Sequence, residues 1–525
     1  SACLVLSLFA SAVPATAQGL SKTLYKDQVN GFKFRPPNKF LVVPSQPAMI
    51  EMGILCRMES EEADAAVQVL CFADRDEEPE PDASGEEDKE RTVVRSKRMQ
   101  VEDFLATFLK GSFRKTEPAE DKEIKIHGIE ARWRVWNASG QRVEVFSFPG
   151  ERADFHLVYQ LTTQVADSRD GKKWISMISK SGRSFEWEKI LAPVDTSAMD
   201  YDDLLKYHTK ADAQFKDWRV LGTPSKQFII KTSSKRGAYI KNVITRLERS
   251  RSLFEEDFPP AAFGLKMTAI SIVRVCGTEE EFHRYGNTSR GVGGWFNPMS
   301  EELVLFCGDK DKEEDAETFA VMSHEAFHQY CHFLFQRSEA HRWFDEGHGD
   351  YYAAANWFEG KAYVKPEAPG GYNRLPIAKD MIQKGEMRPL AEHLNYNHQQ
   401  WQTQGPSNVS CYAQSWSLVY MLRQGALGKV PSQYWEPEYA DILPHYMSAL
   451  LAGYAERYQE ILKKREEAAK EEGRELTDDE RVIDRFDLSQ SDRDMVWKQA
   501  MDASWGKIDL DAFEKKWLDY VANVL

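Results

Sequence analysis

The chain has 525 residues, too many for a single hydrophobic core, so its length predicts two or three domains. Hydrophobic residues make up 42% and charged residues 29%, the mix of ordinary globular proteins, which excludes a disordered or fibrous chain. Acidic residues outnumber basic ones by 83 to 68, and a surface of that sign repels phosphate backbones and anionic bilayers, so we expect no nucleic-acid partner.

The first 17 residues have the pattern of a secretory signal peptide. An apolar stretch from Cys3 to Ala10 precedes Ala15-Thr16-Ala17, which has the form of an A-x-A cleavage site. We expect cleavage after Ala17 and export to the periplasm, the cell surface or the exterior; a short buried strand is the alternative. No later stretch approaches the roughly 18 consecutive apolar residues of a spanning helix, so we expect no stable membrane insertion.

Cleavage of this segment would leave six cysteines, an even number that suits an oxidising compartment. We favour bridges between sequence neighbours, Cys56 with Cys71 and Cys276 with Cys307. Buried free thiols are the alternative. No pair has the CxxC spacing that is typical of metal or redox sites.

Residues 20–190 predict a domain rich in strands. Short alternating segments such as Phe155–Leu161 predict strands, while Val101–Phe108 and Lys172–Ser181 have helical spacing. The acidic, proline-containing run Asp74–Arg91 predicts a solvated loop. No pair of acids, Cys–His cluster or phosphate loop stands out here, which favours an accessory or binding module.

Two stretches of this domain, GFKFRPP at residues 31–37 and ISKSGRSF at 178–185, resemble the PsbP-like α/β domain. The resemblance covers about a third of the chain. A polar stretch around Ala192–Asp203 follows, and we place the domain boundary there.

After this boundary the pattern mixes strands with longer helices. Gln227–Thr232 and Ala269–Val275 predict strands, and Lys235–Phe258 predicts a helix that ends before two prolines. Gly291–Trp295 predicts a loop, and Glu302–Phe306 predicts another short strand.

The segment Asp311–Gln336 predicts one long helix, because it lacks Gly and Pro, opens with acids and repeats apolar residues at helical spacing. Inside it, His324 and His328 are four residues apart, so both imidazoles share one helix face, where one metal ion can touch both. Glu325, next to His324, can point at a metal-bound water.

A catalytic zinc needs three protein ligands and one open position, so a third ligand must come from elsewhere. The segment Trp343–Ala354 predicts a second helix after a short connection, on which Glu346 would face the two histidines. Asp350 lies one turn further and can accept the other ring N–H of a ligating histidine. The alternative is that both histidines are ordinary helix residues and Glu346 is a surface acid.

A competing zinc pattern, in which a glycine and a third histidine continue the motif, would need Gly at 331 and His at 334. The chain has Cys331 and Leu334 there. His332 continues the four-residue spacing, but each such step rotates by about 40 degrees around the helix. We therefore expect His332 to be carried away from the metal, with a structural or surface role.

The motifs HEAFHQY at residues 324–330 and WFDEGHGDYYAA at 343–354 resemble those of the gluzincin metallopeptidases, and especially of a bacterial peptidase MA-like family. The resemblance extends from about residue 228 to residue 525. Members usually carry a small aliphatic residue and Ala after the Glu-Gly, where this chain has His348 and Gly349. That departure leaves the specificity of the pocket open.

The resemblance implies that Zn²⁺ is bound by His324, His328 and Glu346, that Glu325 is the general base, and that a metal-activated water hydrolyses peptide bonds. It also implies that an edge strand near Leu303–Phe306 aligns an extended substrate by main-chain hydrogen bonds. Both implications, peptide-bond hydrolysis and alignment on an edge strand, point to a peptide or protein substrate.

In similar enzymes a Tyr or His from a downstream helix stabilises the tetrahedral intermediate, and Tyr412 is our candidate. The alternative is that Tyr412 only packs at the start of a helix over residues 412–422. His348, Tyr351 and Tyr352 are weaker candidates for the same role.

The sequence as a whole predicts an α+β fold: an N-terminal α/β (PsbP-like) sheet domain at 20–190, a gluzincin-like catalytic domain at 200–424 with a small mixed sheet and an active-site helix pair, and a mostly helical part at 425–525. We expect an exported zinc-dependent peptidase of undetermined oligomeric state. One alternative is a noncatalytic relative that binds partners or acts as a scaffold, against which the intact Glu325 argues. Another makes the PsbP-like part the working domain.

Overall fold

The fold is mixed α and β, as predicted, and is known from a computed structural model. The chain divides into two compact units, one running to Trp218 and including Arg284–Thr288, the other comprising Arg219–His283 and Ser289–Leu525. The sequence placed residues 200–218 in the second domain, whereas they lie in the first unit. The structure describes residues 19–45, 53–60, 65–73, 75–76, 95–96, 100–108, 117–138, 140–150, 153–190, 196, 199–286, 288, 290–308, 312–407, 409–481, 483 and 487–525.

Strands dominate the first unit. They are β1 (Tyr25–Asp27), β2 (Phe32–Phe34), β3 (Phe40–Val43), β4 (Ile54–Ser60), β5 (Ala65–Ala73), β6 (Arg75–Asp76), β7 (Arg95–Ser96), β8 (Glu120–Ile126), β9 (Ile129–Ala138), β10 (Gln141–Pro149), β11 (Ala153–Thr162) and β12 (Glu186–Trp187). Its helices are α1 (Val101–Phe108), α2 (Thr163–Ala166), α3 (Gly171–Gly182) and α4 (Tyr201–Asp212).

Seven of these strands form an antiparallel sheet in the order β3-β4-β5-β11-β10-β9-β8, and β1, β2 and β12 form a smaller one. The large sheet is covered on both faces: Ile178 of α3 belongs to the core on one face, and Phe104 and Leu105 of α1 to the core on the other. The predicted helices and strands of this unit are confirmed. Of the predicted loop Asp74–Arg91, only β6 is described, and it pairs with β7.

The second unit combines a small sheet with long helices. Its strands are β13 (Arg219–Gly222), β14 (Phe228–Thr232), β15 (Ser271–Cys276), β16 (Gly294–Asn297), β17 (Glu302–Phe306), β18 (Ala355–Phe358) and β19 (Lys361–Val364). The helices from residue 219 onward are α5 (Gly237–Asp257), α6 (Glu279–Gly286), α7 (Lys312–Leu334), α8 (Arg342–Ala353), α9 (Leu375–Lys384), α10 (Leu390–His393), α11 (His398–Thr403), α12 (Ser410–Ala426), α13 (Ile442–Glu471), α14 (Asp478–Arg481), α15 (Gln490–Ala503) and α16 (Leu510–Asn523).

The sheet has the order β13-β14-β15-β17-β16 and is mixed, because β14, β15 and β17 run parallel while β13 and β16 are antiparallel to their neighbours. One hydrophobic core joins this sheet to the helices; it includes Phe254 of α5, Phe327 of α7, Trp343 of α8, Trp416 of α12 and Tyr446 of α13. Helix α7 thus lies between the sheet and α8, buried on most of its surface.

The prediction that Gly291–Trp295 is a loop is wrong at its end, because Gly294 and Trp295 belong to β16. This strand pairs with β17 on one side, Gly294 opposite Leu305 and Asn297 opposite Glu302, and is one of the two edge strands of the sheet, the other being β13. The strand begins with a glycine and is only four residues long, and these two features hid the alternating pattern. Strand β16 lies beside α7, since Val321 of α7 packs against Gly294 of the strand.

The two predicted disulfides are also wrong, since the six described cysteines are free thiols. Cys71 lies beside Gly53, whose carbonyl oxygen accepts its N–H at 2.7 Å, whereas Cys56 pairs with Val69. Cys276 pairs with Phe306, the last residue of β17, and Cys307 directly after it continues the alternation of side chains and points to the other side of the sheet.

The predicted signal peptide, residues 1–17, lies outside the described residues. Among the helices that the structure does describe, none combines the length and apolar character of a membrane span.

Candidate metal centre

Two helices bring the candidate ligands together. His324 and His328 lie on α7 with their Nε2 atoms 2.9 Å apart. The chain then reverses through Gln336 and Arg337, both in the left-handed region at φ 52° and 69°, which lets α8 pack back along α7. Glu346 of α8 thereby places Oε2 at 3.3 Å from the Nε2 atom of His324 and 3.5 Å from that of His328.

These three donors fit one tetrahedral ion. Two ligands at the zinc–nitrogen distance of about 2.0–2.1 Å lie about 3.3–3.4 Å from each other across a tetrahedral angle. The observed separations of 2.9, 3.3 and 3.5 Å bracket that value. Among the described residues, this is the group of His, Cys, Asp and Glu side chains whose ligand atoms all lie within 4.8 Å of one another.

The outer nitrogen of each ring faces a carboxylate. His328 Nδ1 lies 2.8 Å from Oδ1 of Asp345. His324 Nδ1 lies 3.1 Å from Oδ1 of Asp350, close enough for an ion pair although outside good hydrogen-bond geometry. A carboxylate beside Nδ1 favours the neutral tautomer that carries its hydrogen on Nδ1. In that tautomer Nε2 has a lone pair, which points toward the other ring and Glu346. Such a cluster of lone pairs needs a cation, either a proton or a metal ion, at its centre.

The pKa values of the two histidines and of Glu346 are shifted in the direction that places protons on the rings. Burial opposes the charged form of His324, but the neighbouring carboxylates of Asp350 and Glu346 outweigh it and raise the pKa to about 9. Burial likewise opposes charge on His328, yet Asp345 and Glu346 hold its pKa well above the ordinary value. Burial works against ionisation of Glu346 too, and the two histidines nevertheless keep its pKa well below the ordinary value. Without a metal, protons occupy the place between these side chains.

A buried arginine fixes Asp350. Arg374 Nε donates to Oδ2 of Asp350 at 2.6 Å, and its Nη2 donates to Oδ1 at 3.3 Å, while Nη1 donates to the carbonyl oxygen of Gly371. Asp350 is fully buried. The arginine therefore holds the carboxylate that faces His324 in one orientation.

Glu325 points to the edge of the sheet. Its Oε2 accepts the backbone N–H of Phe296 in β16 at 2.8 Å. Because that N–H is directed at Glu325, it is not used in the β17 ladder, so alternate residues of β16 present their main-chain groups to the outer side. Glu325 thus lies between the three donors and the open edge of the sheet.

Two cavities meet at the candidate centre, and both are lined by His324, Glu325, Arg342, Glu346 and Tyr412. One has a volume of about 390 Å³ and extends past His328 toward Phe335 and Trp497. The other has a volume of about 560 Å³ and extends past Tyr372 and Arg374 toward Trp401.

Tyr412, the candidate for stabilising the intermediate, lies in the wall of both cavities. Its ring packs edge-on against Trp401 and lies 5.3 Å from the guanidinium carbon of Arg374. Burial raises the pKa of its hydroxyl, and the negative charge of Glu346 raises it further. Tyr412 therefore stays protonated at neutral pH and can donate a hydrogen bond.

The three weaker candidates are buried in the core. His348 donates Nδ1–H to the carbonyl oxygen of Phe344 at 2.7 Å, and burial lowers its pKa to about 3. Tyr351 accepts from Gln424, and Tyr352 donates to Asp257. None of the three lines either cavity at the centre.

His332 lies one turn beyond His328 and, as predicted from the helix geometry, outside the group of candidate ligands. Its Nε2 is 3.1 Å from Oε1 of Glu301, and its ring lies against Phe296.

The unusual Gly349 has a steric explanation. A Cβ at this position would lie 2.8 Å from both Cε1 and Nδ1 of His324, closer than real Cβ atoms approach other atoms. The helices α7 and α8 are therefore in contact at the histidine ring itself, and glycine is required there.

Four residues of the site were missed from the sequence: Asp345, Arg342, Tyr372 and Arg374. Asp345 and Arg342 could have been found, because they precede Glu346 by one and four residues, Asp345 on the predicted helix and Arg342 directly before it. Tyr372 packs its ring 5.3 Å from that of His324. It reaches the site with Arg374 through the hairpin β18–β19 and the 3₁₀ turn Gly370–Tyr372, a path without a sequence signature.

Comparison with known protein families finds no matching family profile. No curated protein matches the chain either. Among solved structures, the chain is similar to the solution structure of cyanobacterial PsbP (CyanoP) from Synechocystis sp. PCC 6803, at 14% identity and a TM-score of 0.22 over 34% of this chain and 98% of that one. A protein of unknown function from Pseudomonas aeruginosa is similar at 12% identity and a TM-score of 0.15, over 34% of this chain and 99% of that one.

Proposed function

We propose that this chain is a zinc-dependent peptidase. The observation that carries the proposal is the convergence of three metal donors from α7 and α8 beside a carboxylate, Glu325, at the meeting point of two cavities. His324, His328 and Glu346 would hold the ion. Two histidines and a glutamate form one of the ligand sets used by catalytic zinc in peptidases.

When bound, zinc would polarise the scissile carbonyl and acidify a water molecule. Glu325 takes the proton of the attacking water and passes it to the leaving amine. The N–H of Phe296 holds Oε2 of Glu325 and so fixes the direction of the carboxylate. Asp345 accepts from Nδ1–H of His328, and Asp350 lies within ion-pair distance of Nδ1 of His324, so both carboxylates aim the Nε2 atoms inward.

The developing negative charge on the carbonyl oxygen needs a donor. Tyr412 remains our candidate, because it lies in both cavity walls and stays protonated. Tyr372, which packs against His324, is a second candidate that the sequence did not suggest. Because both tyrosines line the cavity beside the metal donors, either one could donate a hydrogen bond to the carbonyl oxygen.

For the substrate we propose main-chain pairing with β16. This strand is the outer strand of the sheet, whereas β17, which contains Leu303–Phe306, is paired on both sides. The N–H of Phe296 is held by Glu325, and the other outward main-chain groups of β16 suit an extended peptide without selecting for side chains.

We also propose that the protein is exported. The free thiols remove the support that an even number of cysteines gave to export, so this proposal rests on the N-terminal sequence pattern alone.

The proposal is tested with the full chain stripped of metal and reloaded with zinc, incubated with a mixed peptide library and followed by mass spectrometry. We expect cleavage by the zinc-loaded chain, loss of cleavage with a chelator and recovery when zinc is restored. A chain that binds one zinc and cleaves no peptide would instead support the noncatalytic scaffold.

Zinc binding should release protons. In the metal-free protein the pKa of His324 is raised to about 9 and that of His328 is raised as well, so at pH 7.5 the two rings, whose Nε2 atoms lie 2.9 Å apart, hold at least one proton that zinc displaces. Calorimetry in buffers of different ionisation enthalpy measures this number. Zinc affinity should rise with pH up to about 9.

The raised pKa of His324 also predicts how the stability of the metal-free protein depends on pH. Because the folded pKa of His324 lies above the ordinary 6.5, its ion pairs stabilise the fold fully below pH 6.5, and this contribution is lost as pH rises through 9. The Tm of the metal-free chain should therefore fall over that range. An equal fall in the zinc-loaded chain would contradict the assignment of the histidines.

A further inference from the structure

We infer that the enzyme is an endopeptidase, which cuts internal bonds of an extended polypeptide. This inference rests on the proposed function and adds the class of substrate. It depends on the shape of the cleft on both sides of the candidate centre and on the charges that line it.

The cleft continues on both sides of the metal donors. The cavity of about 390 Å³ follows α7 from His328 toward its C-terminal end, and the cavity of about 560 Å³ lies on the side of His324, under Tyr372 and Trp401. Both volumes are within the range of about 300–1,000 Å³ that is usual for ligand sites. A chain that crosses the centre therefore has room before and after the bond to be cut.

Neither side carries a charge reserved for a chain end. A free terminus that enters a cavity needs a counter-charge, since burying an unpaired ion is costly. The arginines that line the two cavities are already paired: Arg342 donates to Oε1 of Glu346, and Arg374 is held by Asp350. An α-carboxylate therefore has no uncommitted arginine to bind in the described part of the site.

The carboxylates on the cavity walls are committed as well. Glu325 accepts from Phe296, Asp345 pairs with His328, and Glu346 faces both histidines and Arg342. Glu339 also has an interaction within the chain. An α-ammonium group thus has no vacant carboxylate among the described residues, while the main-chain edge of β16 remains suited to a continuous strand.

The experiment uses one peptide of about twelve residues, about 40 Å when extended, in four forms: both ends free, N-acetylated, C-amidated, and blocked at both ends. The zinc-loaded full chain is compared with Glu325→Gln to exclude contaminating proteases, and mass spectrometry identifies the new termini. We expect all four forms to be cut at the same internal bonds, with kcat/KM values within about twofold, because no terminal charge contributes binding energy.

Two variants test each side separately. Val409→Trp narrows the cavity under Tyr372, and Pro298→Trp narrows the one along α7. Each alone should lower cleavage of the doubly blocked peptide about tenfold, as for a lost or clashing side-chain contact, while the zinc content stays at one per chain. An exopeptidase would be impaired by only one of the two.

Stepwise release of single residues or dipeptides, or loss of cleavage when one end is blocked, would overturn the endopeptidase assignment and leave the peptidase proposal standing. If the zinc-loaded chain cuts none of the four forms and nothing in the library, both proposals fall.

Discussion

Replacement of Glu325 by glutamine is expected to lower kcat for peptide cleavage by about 10²–10⁴-fold, the usual contribution of a general base. The amide keeps the size of the side chain and an oxygen for the N–H of Phe296. It cannot accept the proton of the attacking water at neutral pH. Zinc content, measured by mass spectrometry of the metal, should stay at one per chain.

Glu317→Gln is the matched control, because it makes the same chemical change two turns earlier on α7. Glu317 accepts the N–H of Gly371, and an amide oxygen can continue to do so. This variant should keep wild-type kcat. If Glu325→Gln retained full activity with its zinc in place, Glu325 would not be the base and the proposed mechanism would be wrong.

Replacement of Glu346 by glutamine is expected to weaken zinc binding by at least about 100-fold, more than loss of an outer hydrogen-bond partner usually does. The change removes the negative charge that faces both histidines and replaces one carboxylate oxygen of the proposed ligand by an amide nitrogen, which cannot bind the ion. Competition with a chromophoric chelator measures the zinc affinity. Activity at low free zinc should fall in parallel.

Asp345→Asn provides the comparison. Asp345 contacts the outer nitrogen of His328 and is not one of the three proposed ligands, so its replacement should weaken zinc binding by about 10–100-fold, less than the replacement of Glu346 does. Circular dichroism checks that both variants keep their helices. Unchanged zinc affinity in Glu346→Gln would place the third ligand elsewhere and contradict the proposed centre.

The parts of this site that the sequence predicts are those carried by helical periodicity. The spacing of His324 and His328 is a property of one helix, and Glu346 follows on a second helix after a short connection. Asp350 lies one turn from Glu346, on the same face of α8, so its position beside His324 follows from the same helix. Strand Glu302–Phe306 was likewise predicted with its observed ends.

The parts that could not be predicted depend on long-range packing. Arg374 follows Asp350 by 24 positions and reaches it only because the hairpin β18–β19 folds the chain back over α7. Pairing of the cysteines was predicted wrongly because proximity in sequence says nothing about which face of a sheet each side chain occupies. The short strand β16 is defined by its partner β17 rather than by its own composition.

The connection between α7 and α8 has a consequence for folding. Glu346 follows His324 by only 22 positions, and the turn through Gln336 and Arg337 closes the loop between them. Closing so short a loop costs little chain entropy, and contacts of low sequence separation form early. The proposed donor set is thus complete once a single helical hairpin has formed, before α12 brings in Tyr412. An ion captured at that moment would act as a folding nucleus for the second unit, and refolding rates should increase with free zinc.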